Sequence, residues 1–295
     1  MMRASHLRLF LETVRFEHTI FALPFAYLGM LLAANWPRSP GSTMMLPTLA
    51  QVFWITIAMV AARTIGFAIN RYADRVYDAR NPRTAGRPIP SGRLSAKATL
   101  AYAGIALIVL VIAAWQLNEL TLLLLPGALI LLVGYSYTKR FTWLSHWVLG
   151  ATDGLAPAGA WVAVRAHIDP PAWLLWLAIT LWIAGFDLIY ACQDTAFDRA
   201  EGLYSVPARF GNRIALLLAQ INHISMWGLL VALGLLMKFS WMYWAGLATV
   251  GALLVYEHLL VSPDDLSRIN VAFFNVNGYI ALIMCFATWM ALWIG

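Results

Sequence analysis

Charge is what this sequence has least of. Asp, Glu, Lys and Arg make up 12% of its 295 residues, against roughly 25% in ordinary soluble domains. With 61% hydrophobic residues, that shortage excludes a soluble globular protein and points to an all-α integral membrane chain. Cysteine is nearly absent as well. Cys192 and Cys285 both fall in hydrophobic stretches, which excludes a disulfide framework. The first twenty residues hold Arg3, Arg8, Glu12, Arg15 and Glu17 with no uninterrupted apolar run, so a secretory signal is not expected. No low-complexity stretch or soluble domain is left over, and residues 1–295 read as one transmembrane domain. A net charge of +6 suits either nucleic acid or an anionic membrane face. Its distribution decides for the lipid bilayer, with no nucleic acid as partner.

A membrane span needs about 20 mostly apolar residues. Nine segments fit: 17–36, 48–69, 98–116, 119–138, 146–165, 172–193, 213–237, 241–261 and 270–293. Basic residues set the orientation, since cytoplasmic loops carry an excess of Lys and Arg. With the N-terminus in the cytoplasm and nine alternating spans, sixteen of the 20 Lys and Arg are cytoplasmic. Only Arg38, Arg165 and Lys238 fall on the far side, and Arg63 lies within a span. The expected location is the inner (plasma) membrane, multi-pass.

Two acidic clusters stand out, each closing a hydrophobic span: Asn70-x3-Asp74-x3-Asp78 and Tyr190-x3-Asp194-x3-Asp198. A spacing of four keeps carboxylates on nearly one helix face, one turn apart. Stacked carboxylates repel, so a cation is expected between them. Both clusters end even-numbered spans, so they share the cytoplasmic side. Mg2+ prefers one or two carboxylates together with substrate phosphates, and two facing motifs suit two Mg2+ ions on one diphosphate. The alternative is that these acids merely balance neighbouring arginines at the membrane surface. FAINRYADRVYDAR aligns with LIYACQDTAFDRAEG through Asp74/Asp194 and Asp78/Asp198, placing Asn70 opposite Tyr190; this is a faint internal repeat.

Basic residues nearby fit the same anion. Arginine forks match phosphate oxygens, and Arg75 and Arg87 are the candidates to reach it among the six arginines from Arg71 to Arg93. Lys139 and Arg140 end the fourth span on the same side. Charges inside a membrane are functional candidates by default, and here they are Arg63, Asp153 and Asp187. Arg63 and Asp187 either pair across the bundle or line a polar pocket above the metal site. In that pocket Arg63 holds an acceptor carboxylate, while Asp187 orients a phenol or takes a proton. Asp153 lies among glycines and lines the cavity. Gly150, Gly154, Ala156, Ala158, Gly159 and Ala160 crowd the fifth span, as expected for close helix packing. Glu257 and His258 near a span end read as interfacial.

NRYADRVYDARNPRTAGRPIPSGRLS resembles the first signature of the UbiA superfamily of intramembrane prenyltransferases, N-x3-D-x3-D followed by R-T-x-x-R-P-x-x-x-G. YACQDTAFDRAEGLYSVPARFG resembles its second, D-x3-D followed by G-x-x-S, and GYSYTKRFT resembles its tyrosine-to-lysine segment. The resemblance implies nine helices bundled around a central cavity with a lateral opening to lipid, and two Mg2+ ions holding a polyprenyl diphosphate. It makes Asn70, Asp74, Asp78, Asp194 and Asp198 the metal and diphosphate residues, with Lys139 and Arg87 on the diphosphate. RFEHTIFALPFAYLG is similar to the branch near 4-hydroxybenzoate polyprenyltransferases, and more narrowly to members of the futalosine route to menaquinone, whose acceptor is 1,4-dihydroxy-6-naphthoate. Tyr190, where a symmetrical motif carries Asn, departs from equal coordination by the two halves and reads as a substrate contact.

The expected activity is therefore an aromatic polyprenyltransferase of quinone biosynthesis, ubiquinone or menaquinone, with its site facing the cytoplasm. Arg63 or Arg15 would hold the carboxylate of an aromatic acid acceptor, and Asp187 would receive the ring proton. The alternatives are the same fold with haem, chlorophyllide or homogentisate as acceptor, and a membrane transporter, for which midplane sites in broken helices are usual.

Overall fold

A computed structural model describes residues 6–13, 19–39 and 43–294, all of whose regular structure is helical. Arg3 and Arg15 lie outside the described residues. The elements run α1 (His6–Thr13), α2 (Thr19–Ala34), α3 (Leu49–Arg80), α4 (Ala96–Leu117), α5 (Glu119–Thr138), α6 (Ser145–Arg165), α7 (Pro170–Ala191), α8 (Thr195–Ala200), α9 (Val206–Phe210), α10 (Asn212–Leu236), α11 (Trp241–Leu259) and α12 (Asn277–Ile294). A 3-10 turn, Cys192–Asp194, joins α7 to α8, and a π-helical turn, Val271–Val276, leads into α12.

Among the described residues, each of the nine expected segments coincides with a long helix. Six stretches are long and apolar enough to cross a membrane: Leu49–Arg80, Ala96–Leu117, Glu119–Thr138, Pro170–Ala200, Asn212–Leu236 and Val271–Ile294. Large apolar side chains such as Ile105, Ile108, Leu123, Ile130, Leu259 and Trp293 are exposed on the outside, the arrangement of a lipid-facing surface. The apolar part of α2, 23–34, is shorter. α6 is rich in small and polar residues because it faces other helices and a cavity rather than lipid.

Polar residues at the helix ends fix the hairpins. Thr48 and Gln51 form a capping box that starts α3, which satisfies two backbone donors at once. Asn118 alone separates α4 from α5. Its Oδ1 accepts from the Thr121 N–H, and its Nδ2 donates to the carbonyls of Val162 and Ala163 (2.9 and 3.0 Å), tying the turn to the end of α6. Gln51 donates to the carbonyl of Val164, and Arg38 to that of Leu292. The start of α3, the α4–α5 turn and the end of α6 thus meet at one end of the bundle, where α6 closes on Arg165.

The small-residue stripe of α6 serves two purposes. A Cβ on Gly150 would collide with the Thr180 carbonyl, and one on Gly154 would crowd the Trp176 carbonyl, so glycine lets α6 and α7 touch backbone to backbone. Ala156, Ala158 and Gly159 instead line a cavity. The main core lies on the α7 side of α6 and joins α2, α6, α7, α10, α11 and α12 through Trp161, Leu175, Leu188, Tyr243, Leu247 and Met284. Glu257 is not interfacial: it is fully buried, and Asn277 Nδ2 donates to its Oε1 at 2.8 Å. Asn277 reaches it because the π-helical turn rotates α12 there; Asn277 Oδ1 also accepts from Trp182 Nε1 (2.7 Å).

Candidate active site

Between α3, α4, α5, α6, α7 and the π-helical turn lies a cavity of 1320 Å³. Asn70, Asp74, Asp78, Asp194, Asp198, Arg63, Arg87, Lys139, Arg140, Asp153, Asp187 and Tyr190 all line it. Arg75 does not. It borders a separate groove with Arg80 and Ser95, donates to the carbonyl of Tyr72 at 2.6 Å, and stacks over the Tyr72 ring. One residue's shift from Asp74 turns it about 100° around the helix, which takes it off the cavity face. Arg15 lies outside the described residues.

The first cluster sits on an uninterrupted helix. α3 runs past the expected span end to Arg80, carrying Asn70, Asp74 and Asp78 down one face. Asn70 Nδ2 donates to Asp74 Oδ2 (2.9 Å) and its Oδ1 accepts from Arg71 (3.2 Å). The second cluster sits on a broken one. α7 stops at Ala191, and Gln193 and Thr195 donate to the freed carbonyls of Tyr190 and Cys192. Asp194 ends the 3-10 turn, and Asp198 lies on α8.

Each carboxylate has its own cation. Arg87 Nη1 donates to both oxygens of Asp78 at 2.8 Å. Arg83 crosses to the other cluster and grips Asp194 with two nitrogens, at 3.2 and 2.6 Å. Arg140 Nη2 lies 3.7 Å from Asp74, and Lys139 Nζ lies 3.7 Å from Asp198. These cations offset the mutual repulsion of the carboxylates and, at Asp78 in the last turn of α3, the negative end of the helix dipole as well. Local bonds in the loop after α3 hold Arg83 and Arg87 in place. Asn81 Oδ1 accepts from the Arg83 N–H, and the Arg87 N–H donates to the Thr84 carbonyl.

Lys139 marks where the clusters converge. Burial opposes its charge, yet Asp198, Asp187, Asp194 and Asp74 together hold it above the ordinary lysine range. Arg83 behaves alike: burial lowers it, and Asp194 outweighs that and raises it. The loop after α8 closes on the same point. Gly202 takes a positive φ of 68°, Leu203 donates to the Asp198 carbonyl, Tyr204 donates to the Lys139 carbonyl, and Ser205 caps α9. The G-x-x-S segment is thus a turn and a cap.

The residues present fit Mg2+. The donor set is oxygen from four aspartates and one asparagine, which suits a hard cation. Asp198 Oδ2 is buried without a hydrogen-bond partner, an acceptor left for a ligand. Among the described residues no three His, Cys, Asp or Glu groups converge enough to hold a metal alone.

Deeper in the cavity, Arg63 sits over the Phe67 ring at 4.7 Å with its Nε buried and unpartnered. Its charge faces Asp153 and the Tyr135 hydroxyl, and that hydroxyl donates to the Gly66 carbonyl. Asp187 takes a different partner, His146, at 2.6 Å. Tyr190 accepts from Arg83 at 3.3 Å and stacks 4.1 Å from Phe273, which also packs on Phe186 and Phe274. Sequence reasoning did not single out His146, Arg83, Tyr135 or this aromatic wall. Arg83 could have been found from its place in R-T-x-x-R-P. His146 carries no such signal, because only the packing of α6 on α7 brings it to Asp187.

The UbiA prenyltransferase family profile matches residues 22–293. The chain belongs to the UbiA prenyltransferase family. It is 32% identical over 293 residues, 98% of its length and 97% of the relative's, to a 4-hydroxybenzoate octaprenyltransferase of Salmonella paratyphi B. Its fold is similar to that of a UbiA homologue from Aeropyrum pernix K1 in the apo form, with a TM-score of 0.82, 31% identity, and 93% and 98% of the two chains covered. A UbiA homologue from Archaeoglobus fulgidus bound to GPP and Mg2+ shares the fold at a TM-score of 0.63 and 18% identity, over 94% and 99% of the chains. This UbiA-family chain is a prenyl-transferring enzyme of the membrane, and the transporter alternative gives way to that.

Proposed function

We propose that the chain is an Mg2+-dependent aromatic polyprenyltransferase that joins the prenyl group of a polyprenyl diphosphate to a hydroxylated aromatic acid. The observation that carries the reading is the convergence of both acidic clusters and their four cations on one cavity, beside a deeper polar pocket at Arg63. Asp74, Asp78, Asp194 and Asp198, with Asn70, would hold Mg2+, two ions in the fullest arrangement. Bound there, Mg2+ would supply the positive charge that neutralises the leaving diphosphate. Arg83, Arg87, Arg140 and Lys139, which now pair with those carboxylates, would be the cations for the phosphate oxygens.

The prenyl chain lies along the apolar walls of α4, α5 and α6 and is shielded from water. Phe186, Tyr190, Phe273 and Phe274 face the developing allylic cation, which ring faces attract. Arg63 pairs with the acceptor carboxylate, and Asp187 takes the ring proton. Relatives named for 4-hydroxybenzoate support that acceptor. The segment RFEHTIFALPFAYLG supports 1,4-dihydroxy-6-naphthoate as the second reading. The basic asymmetry supports nine spans, a cytoplasmic N-terminus and a site facing the cytoplasm in the inner membrane.

Membranes carrying the protein, labelled prenyl diphosphate and each candidate acid in turn test the proposal. Mg2+-dependent prenylation of one of the two acids is expected. Prenylation of homogentisate, chlorophyllide or haem instead would replace the acceptor assignment.

A further inference from the structure

We infer that His146 is a positioning residue for the ring-proton base: a fixed, uncharged donor that aims Asp187 at the acceptor. The inference rests on the proposal that Asp187 receives the proton, and goes beyond it by assigning a second residue and its protonation form.

His146 opens α6 and is completely buried. Both ring nitrogens are engaged. Nδ1 lies 2.6 Å from Asp187 Oδ2, and Nε2 lies 3.3 Å from the backbone nitrogen of Val206. A backbone N–H only donates, so Nε2 presents its lone pair, and the single proton of the neutral ring sits on Nδ1. An imidazolium would set two N–H groups head to head at Val206. The tautomer follows from the neighbours rather than from observed hydrogens.

Asp187 therefore accepts a short, charge-assisted bond at one oxygen and meets the cavity as a carboxylate with the other. The charges facing it are Lys139 from the end of α5 and Asp153 from α6. Lys139 is the competitor, since a direct ion pair would draw the carboxylate toward the diphosphate end. Bonding to His146 holds it back. Val206 also starts α9, directly after the loop whose backbone donates to Asp198 and Lys139. One ring thus ties the base to the frame that carries the diphosphate site.

In the step itself, the allylic C–O bond breaks and its electron pair leaves with the diphosphate. A ring π pair forms the new C–C bond. The C–H pair then returns to the ring, and the proton goes to the free oxygen of Asp187. His146 exchanges no proton.

The test uses the full-length protein reconstituted in lipid, with His146→Leu, His146→Asn, Asp187→Asn and the double variant His146→Leu/Asp187→Asn. Asn places an amide N–H where Nδ1 stood but cannot carry an extra proton. His146→Leu is expected to lower kcat about 10-fold or more, the usual scale for a residue that orients a functional group, with the KM for prenyl diphosphate unchanged. His146→Asn should recover most of that loss, and the double variant should be no slower than Asp187→Asn. Wild-type kcat in His146→Leu, or failure of His146→Asn to rescue, overturns the inference while leaving the base assignment standing. Full activity in Asp187→Asn removes the base assignment itself. Should His146→Leu not fold, the kcat of His146→Asn decides: near wild type supports the inference, and a large loss overturns it.

Discussion

The two acidic clusters share one spacing of aspartates in sequence and are unlike each other in structure. The first rides a continuous helix, with Asn70 bonded to Asp74 and Arg87 Nη1 bridging both oxygens of Asp78. The second begins where its helix breaks into a 3-10 turn, with Tyr190 in place of asparagine and its arginine lent by the loop after the first cluster. Identical spacing of aspartates thus gave one half on an unbroken helix and one half that borrows an arginine from beside the first. Arg83 and Lys139 are the residues that couple them, and cooperation rather than symmetry is what the repeat supplies.

The comparison breaks first, and hardest, at the carboxylates. Asp74→Ala and Asp194→Ala should each reduce turnover on the order of 10²–10³-fold or more, the scale for removing a charge-stabilising group, while the protein still inserts and purifies. Activity retained in one of the two would mean that only one half holds the phosphates.

Much of this was legible beforehand, and the reasons are local. The long helices, the acid spacing and the meeting of both clusters on one cavity follow from hydropathy, a four-residue period and the placement of Arg and Lys. What the chain hid depends on distant packing. His146 meets Asp187 only because Gly150 and Gly154 let α6 lie against α7. Arg75 looked equivalent to Arg87 but projects off the cavity face of α3. Glu257 sits at a helix end, where sequence suggests an interface, and is buried because Asn277 reaches it from the π-helical turn.

Replacing Arg87 and Arg83 sharpens the contrast between the halves. Arg87→Lys shortens the cation of a mostly buried pair and removes the planar guanidinium proposed to turn to phosphate oxygens, so it should raise the KM for prenyl diphosphate about 10-fold. Arg83→Lys, at a more exposed pair, should cost only a few-fold, given the small worth of solvated ion pairs. An equal effect at both positions would restore symmetry to the picture.

The smallest effect is expected at Tyr190. Tyr190→Phe keeps the stack on Phe273 and should stay within about 2-fold of wild type. Tyr190→Asn, which makes the motif symmetrical, loses that stack, worth about 1 kcal/mol or roughly 5-fold in kcat. A gain of activity in Tyr190→Asn would show that the asparagine of the first cluster is the better metal partner in both.

Equilibrium binding of prenyl diphosphate to the purified protein, with and without Mg2+ and without acceptor, tests the joint cradle most directly. The variants needed are Asp74→Ala, Asp194→Ala and the two combined. Each single substitution is predicted to abolish Mg2+-dependent binding as completely as the pair does. Near-wild-type affinity in either single variant, with losses that simply add in the double, would contradict the claim that both helix ends hold one ligand.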